Sequence, residues 1–251
     1  MKCLFFLYGE KRTFDTASKF WNVLNIPNLD IVIHSPDTSG EFIGDTNLIE
    51  VHENDFSKLK TSKIFLHDRY EFRRKLDNSL YNDDWHVLHY SFRFLSNYLK
   101  SGPIYDYIII GRLDSTLYIK NFEDIVNRNQ NCIYPLQVGN GTMFIPDHTF
   151  FGSYKIMKKF VDEMPNGKYF QHDPHGAMSQ YIYNNFQEEL WGDYTTVHED
   201  YTSIHLRPNM IKYFESYYAK FGKIKNVDND YSKFVNAFIT KYEYKLDIDY
   251  K

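Results

Sequence analysis

The segment Gly111-Arg112-Leu113-Asp114-Ser115-Thr116 places a guanidinium and a carboxylate directly after the apolar run Ile108-Ile109-Ile110. In open α/β sheets ligands settle beyond the carboxyl ends of strands, so these two side chains are the first candidates for chemistry. Asp114 offers hard oxygen ligands to Mg²⁺ or Mn²⁺, cations that commonly bridge a carboxylate and the phosphates of a nucleotide. Arg112 offers a planar fork suited to a phosphate or a carboxylate. A mutual ion pair at a strand end fits the same two residues, and an Arg-x-Asp spacing leaves both readings open. On the ligand reading, Asp114→Ala is expected to abolish activity with thermal unfolding nearly unchanged.

A second constellation is Pro146-Asp147-His148-Thr149-Phe150-Phe151-Gly152-Ser153, read as a polar step between a strand and a helix. Asp147 is the candidate general base, since a partly buried carboxylate can take a proton from an acceptor hydroxyl, and His148 would assist it or bind the acceptor. Gly152-Ser153 at a helix start offers backbone N–H groups to an anion, while ordinary turn and cap roles for Asp147 and Ser153 fit equally. Histidines gather at His172, His175, His198 and His205. The first two flank Asp173-Pro174, whose turn chemistry explains the spacing better than a zinc signature does. His205 or His198, beside short late strands, is a candidate metal ligand or phosphate contact, while a satisfied structural histidine explains either one alone.

These residues need elements to hold them. Cys3–Tyr8 is a continuous apolar run, the mark of a strand covered on both faces. A helix capped by Thr13 or Asp15 and carrying Phe20, Trp21 and Leu24 follows, ending near Pro27 before the strand Ile31–Ile33. This β-α-β order predicts a parallel pair. Residues 35–44 read as a loop at that second strand's end. In Asp83–Lys100, Trp85, Leu88, Phe92, Leu95 and Leu99 recur at helical steps, and Ser101-Gly102-Pro103 stops the helix. A strand Tyr105–Ile110, a helix 119–128, strands at 132–135 and 142–145, and a helix Ser153–Glu163 capped by Ser153 complete the alternation. Beyond residue 190 come weak strand signals at 195–197 and 203–206 and a polar, Tyr- and Lys-rich tail. The expected fold class is α/β, with a mixed, mostly parallel sheet flanked by helices, as one domain over 1–251.

Composition narrows the function classes. The chain has 251 residues and a formal net charge of −4, which gives no basic field for a nucleic-acid backbone. Its two cysteines, Cys3 and Cys132, fit neither a disulfide framework nor a thiolate cluster. The first apolar run stops at Gly9-Glu10-Lys11-Arg12 without a small-residue cleavage site and reads as a buried strand. No run approaches the roughly 20 apolar residues that span a bilayer, so membrane association would be peripheral and a cytoplasmic location is expected. Aromatic residues make up 18% of the chain, enough either to fill core volume or to face sugar rings, although coding bias yields the same excess.

The order Leu7-Tyr8-Gly9-Glu10-Lys11-Arg12-Thr13-Phe14, then Asp106–Asp114, then Asp147–Ser153 resembles a group of GT-A-like glycosyltransferases. That group is found in polysaccharide and lipopolysaccharide loci and in large DNA viruses. The resemblance covers about residues 1–165 and implies a Rossmann-like nucleotide-sugar-binding core, with 166–251 as an acceptor-side, helical region. It implies a nucleotide-diphosphate sugar as donor, a glycan or other hydroxyl as acceptor, and host cytoplasm as the location if the source is viral. Asp114 then stands at the last acid of an Asp-x-Asp metal motif, with Arg112 in place of the first. Either Asp114 holds Mn²⁺ or Mg²⁺ on the diphosphate, with His205 as a further ligand, or Arg112 neutralises the leaving group without metal. Gly9 and Arg12 would touch the nucleotide, and Asp147 would be the base of an inverting displacement. Two other classes fit the same residues: a metal-dependent phosphoesterase or nucleotidyltransferase using Asp114, Asp147 and His205, and a non-catalytic carbohydrate-binding or scaffold protein.

Overall fold

The computed structural model describes residues 1–9, 13–18, 21–37, 63–68, 83–119, 122–128, 131–135, 149–164, 178, 181–182, 184–186 and 201–202. The chain runs β1 (Cys3–Tyr8), α1 (Phe14–Ala17), a 3-10 turn (Asn22–Asn25), β2 (Leu29–Asp37), β3 (Lys63–Asp68), α2 (Asp83–Ser101), β4 (Tyr107–Arg112), β5 (Tyr118–Ile119), α3 (Phe122–Arg128), β6 (Ile133–Pro135), β7 (Thr149–Ser153), α4 (Tyr154–Glu163) and β8 (Tyr201–Thr202). Six strands form one sheet in the order β3-β2-β1-β4-β7-β6, and β5 pairs with β8 apart from it. The strands β3, β2, β1 and β4 run parallel, whereas β7 is antiparallel to both β4 and β6. A mixed, mostly parallel α/β sheet is what the alternation of elements predicts.

β1 lies in the middle and is buried along its whole length. Its alternate residues supply two cores, because side chains of a strand leave on opposite faces. Leu4, Phe6 and Tyr8 join Ile108 and Ile110 beneath α2 and α4, with Leu88, Phe92, Leu95 and Leu99 forming the apolar stripe of α2. Cys3, Phe5 and Leu7 join Ile109 on the opposite face, where Phe14, Trp21 and Phe122 cover them. The aromatic residues fill core volume on both faces: Phe160 is fully buried against Phe92, Phe150, Tyr181 and Phe186.

Several boundaries differ from the sequence reading. The strand expected at Tyr105–Ile110 is β4, and it runs to Arg112. Tyr105 lies outside it and donates its hydroxyl to Asp30 Oδ2 at 3.2 Å. β2 continues through Ser35-Pro36-Asp37 instead of turning there. Pairing with β1 ends at His34, so Pro36 has no ladder bond to lose on that side, while β3 still pairs on the other. The helix read around Phe20, Trp21 and Leu24 is not continuous. Thr13 makes no side-chain cap, α1 is short, and Trp21 forms a bridge with Leu117 before the 3-10 turn. Ile119 belongs to β5 rather than to α3. The strand read at 132–135 begins at Ile133. The strand β3 has no counterpart in the sequence reading. The side chain of Trp85, the strand at 142–145, the signals at 195–197 and 203–206 and the tail lie outside the described residues.

The stretch Thr149–Ser153, read as a polar step, is the strand β7, buried at its first four residues and hydrogen-bonded on both sides. Gly152 is required by close approach: a Cβ there would lie 2.8 Å from the Cys132 carbonyl oxygen and 3.1 Å from Ile156 Cγ2. Gly152→Ala is expected to lower stability by about 1–3 kcal/mol, read as a lower urea midpoint at unchanged m-value. An unchanged midpoint would mean that β6 shifts freely at the sheet's edge.

Candidate functional site

The order β3-β2-β1-β4 contains a reversal. From β1 the chain builds outward through β2 and β3, then returns to place β4 on β1's other side. At such a switch point the connections leaving the two central strands diverge and open a crevice at their carboxyl ends. The ends that meet here are Tyr8-Gly9 of β1 and Arg112 of β4. In the register Tyr8 is paired with His34 on one side and with Arg112 on the other, so the three stand in one row across the sheet.

Gly9 has φ +96°, and a Cβ placed there would meet nothing within 4 Å. Backbone handedness, rather than lack of room, therefore calls for glycine at this turn. The turn is tied down on both sides: Ser35 Oγ donates to Gly9 O at 2.9 Å, and Leu113 N donates to Tyr8 O at 2.9 Å.

The turn after β4 is closed by Ser115 N donating to Arg112 O at 3.2 Å. Within it Arg112 grips Asp114 with two parallel bonds, Nε to Oδ1 at 2.9 Å and Nη2 to Oδ2 at 3.0 Å. Asp114 is 1% exposed and Arg112 18% exposed. The turn is pinned from the α1 side as well: Thr13 Oγ1 donates to Asp114 O at 3.4 Å, and the Trp21 indole donates to Ser115 O at 2.7 Å. Of the two readings the sequence left open, the mutual ion pair is formed. A fork held at two points is an oriented cation, because guanidinium is planar and stays charged at all relevant pH values.

A resident divalent cation fits the described residues poorly. Both Asp114 oxygens already accept from Arg112, and the described residues bring no three His, Cys, Asp or Glu together as a metal cluster. The anion site expected at Gly152-Ser153 is also not formed as read. Ser153 pairs with Tyr107 at the start of β4, the sheet end opposite Arg112, and Gly152 sits inside the ladder. Thr149 pairs with Gly111, so β7 begins at the Arg112 end. Asp147 and His148, which precede it in sequence, lie outside the described residues, as do Arg12, His172, His175, His198 and His205.

Two residues at this end were not singled out by sequence reasoning. His34 is 2% exposed, with Nδ1 2.9 Å from Ser91 Oγ and its ring stacked on Phe94 at 4.4 Å. A histidine closing the apolar run Ile31–Ile33 was the available signal. Ser115, directly after Asp114, is buried as well.

No protein-family model matches this sequence, and no curated protein matches it. Among solved structures, mouse xyloside xylosyltransferase 1 in its apo form is similar with TM-score 0.44 and 11% identity, over 83% of this chain and 98% of that one. The glycosyltransferase GlyE of Streptococcus pneumoniae is similar with TM-score 0.43 and 11% identity, over 75% of this chain and 44% of that one. The galactosyltransferase LgtC, solved with donor and acceptor sugar analogues, has TM-score 0.36 and 8% identity, over 77% of this chain and 68% of that one.

Proposed function

We propose that this chain transfers a sugar from a nucleotide-diphosphate sugar to a hydroxyl acceptor, with Arg112 facing the diphosphate. The observation that carries the reading is the bidentate Arg112–Asp114 pair at the exit of β4, beside β1 at the switch point of the sheet. In glycosyl transfer the acceptor oxygen bonds to the anomeric carbon while the bond from that carbon to the diphosphate breaks. Negative charge accumulates on the departing oxygen, and a preorganised cation lowers the barrier because no reorganisation is needed at that moment. Asp114 supplies the preorganisation by fixing the plane of the guanidinium. Asp147 is the proposed base, taking the acceptor's proton as the new bond forms, with inversion at the anomeric carbon. Gly9 and Arg12 are proposed to line the nucleotide, and His148 the acceptor side.

A thermal-shift series with nucleotide-diphosphate sugars, run with Mn²⁺, with Mg²⁺ and with chelator, tests the reading. A donor present at a hundredfold excess over its dissociation constant adds about 2.7 kcal/mol of apparent stability. The expected result is a shift with one donor that survives chelator, with Arg112→Lys lowering kcat/KM about a hundredfold because a point charge replaces the fork. A shift that appears only with Mn²⁺ or Mg²⁺ would return Asp114, with His205, to the role of metal ligand. A folded protein that no donor stabilises would favour the carbohydrate-binding reading.

A further inference from the structure

Ser115 is 1% exposed, and among the described residues its hydroxyl is the buried side-chain oxygen left without a hydrogen-bond partner. The rest of the residue is fully engaged: its N–H closes the turn on Arg112 O, and its carbonyl takes the Trp21 indole at 2.7 Å. With the backbone fixed at both groups, rotation about χ1 is the hydroxyl's remaining freedom. A buried hydroxyl without a partner destabilises the state that contains it, so it calls for a specific explanation.

The placement supplies one. Arg112, Asp114 and Ser115 belong to a single turn, so a guanidinium and a hydroxyl are carried within four residues of each other at the carboxyl end of β4. Together they are two donors for one anionic group, and a hydroxyl donating to a phosphate oxygen makes a charge-assisted bond. We propose that Ser115 is a ligand-contacting residue of this site, whose hydroxyl finds its partner in a diphosphate oxygen of the bound donor. The inference rests on the glycosyl-transfer reading and deepens it. Since the hydroxyl is covered in the free protein and the turn is held, the contact forms as rotation about χ1 brings the hydroxyl to the ligand. The ligand-free state carries the unsatisfied group and the bound state relieves it. Removing the hydroxyl therefore acts with opposite signs on the two states.

The test uses the full chain as wild type, Ser115→Ala and Ser115→Cys, with UDP, GDP and ADP as probes in calorimetry and thermal unfolding. For Ser115→Ala the expected results are a ligand-free Tm raised by about 2 °C or more and a dissociation constant weakened about tenfold for the nucleotide that wild type binds. Ser115→Cys keeps side-chain volume with a weak donor, and it is expected to weaken binding to a similar degree. Wild-type affinity in Ser115→Ala, or a lowered ligand-free Tm, overturns the proposal and leaves the site's reading standing. Retained affinity in Ser115→Cys alone overturns it too, since filling of space would then be the cause. Wild-type protein that binds none of the three nucleotides overturns the site's reading itself, and the contact with it.

Discussion

An Asp114→Ala protein is expected to unfold roughly 6–12 °C below wild type and to transfer no sugar. The second half agrees with the sequence reading, and the first half corrects it. A strand-exit carboxylate would be dispensable for stability if it faced a ligand alone, but this one is 1% exposed and accepts two bonds from Arg112. Removing one partner of a largely buried pair takes two charge-assisted bonds from the other, at a cost of about 3 kcal/mol. Replacing both partners with apolar residues of similar volume, as in Arg112→Met with Asp114→Leu, removes the charge that has lost those bonds. The double variant should therefore be more stable than either single one, yet remain inactive. Thermal unfolding of the three proteins beside an activity assay separates the roles. An Asp114→Ala protein as stable as wild type would mean that the pair contributes nothing to the free fold, and one with full activity would remove it from the site.

Phe160→Ala is expected to lower stability by about 4 kcal/mol without a direct effect on the chemistry. Phe160 is fully buried on α4 and touches four other rings, with centroid distances of 5.9 Å to Phe92, 5.1 Å to Phe150, 5.6 Å to Tyr181 and 5.7 Å to Phe186. It joins α2, β7 and the segment around Tyr181, whose hydroxyl donates to Phe160 O at 2.6 Å. Close-packed flat rings, edge to face at Phe92 and Phe186 and tilted at Phe150 and Tyr181, do not close on the space that a lost phenyl leaves, so the cavity should persist. Urea unfolding is the measurement, and a loss below about 1 kcal/mol would show that the cluster repacks.

Legibility in the sequence followed burial. β1 reads as a continuous apolar run because both its faces are covered, and α2 reads as a stripe because only one of its faces is. The strand exit at Arg112 and Asp114 is visible in another way: polar side chains end an apolar run abruptly, although Asp114, Ser115 and Thr116 are themselves buried. What local pattern cannot supply is pairing. Nothing within residues 149–153 distinguishes a helix-leading turn from a strand; β7 exists because β4 and β6 offer it ladders on both sides. The broken helix after Thr13 has a similar cause, since Trp21 is claimed by Ser115 and Leu117, residues some 95 positions away in the chain. The ion pair of Asp114 in the free fold rests on one rotamer of Arg112, and no spacing rule carries rotamers. Among the described residues, aromatic side chains such as Phe5, Phe92, Phe151 and Phe160 fill both cores, a use that a count of Tyr and Phe could not reveal.

The central position of β1 has a consequence in time. Cys3 pairs with Leu29 on one side and with Tyr107 on the other, so this strand leaves the ribosome about a hundred residues before its second neighbour exists. Until β4 arrives, the most apolar segment of the molecule has one edge unsatisfied and is open to other chains, the condition under which nascent proteins aggregate or recruit chaperones. Translation speed through the stretch before Tyr107 therefore bears on how much of this protein reaches its native state.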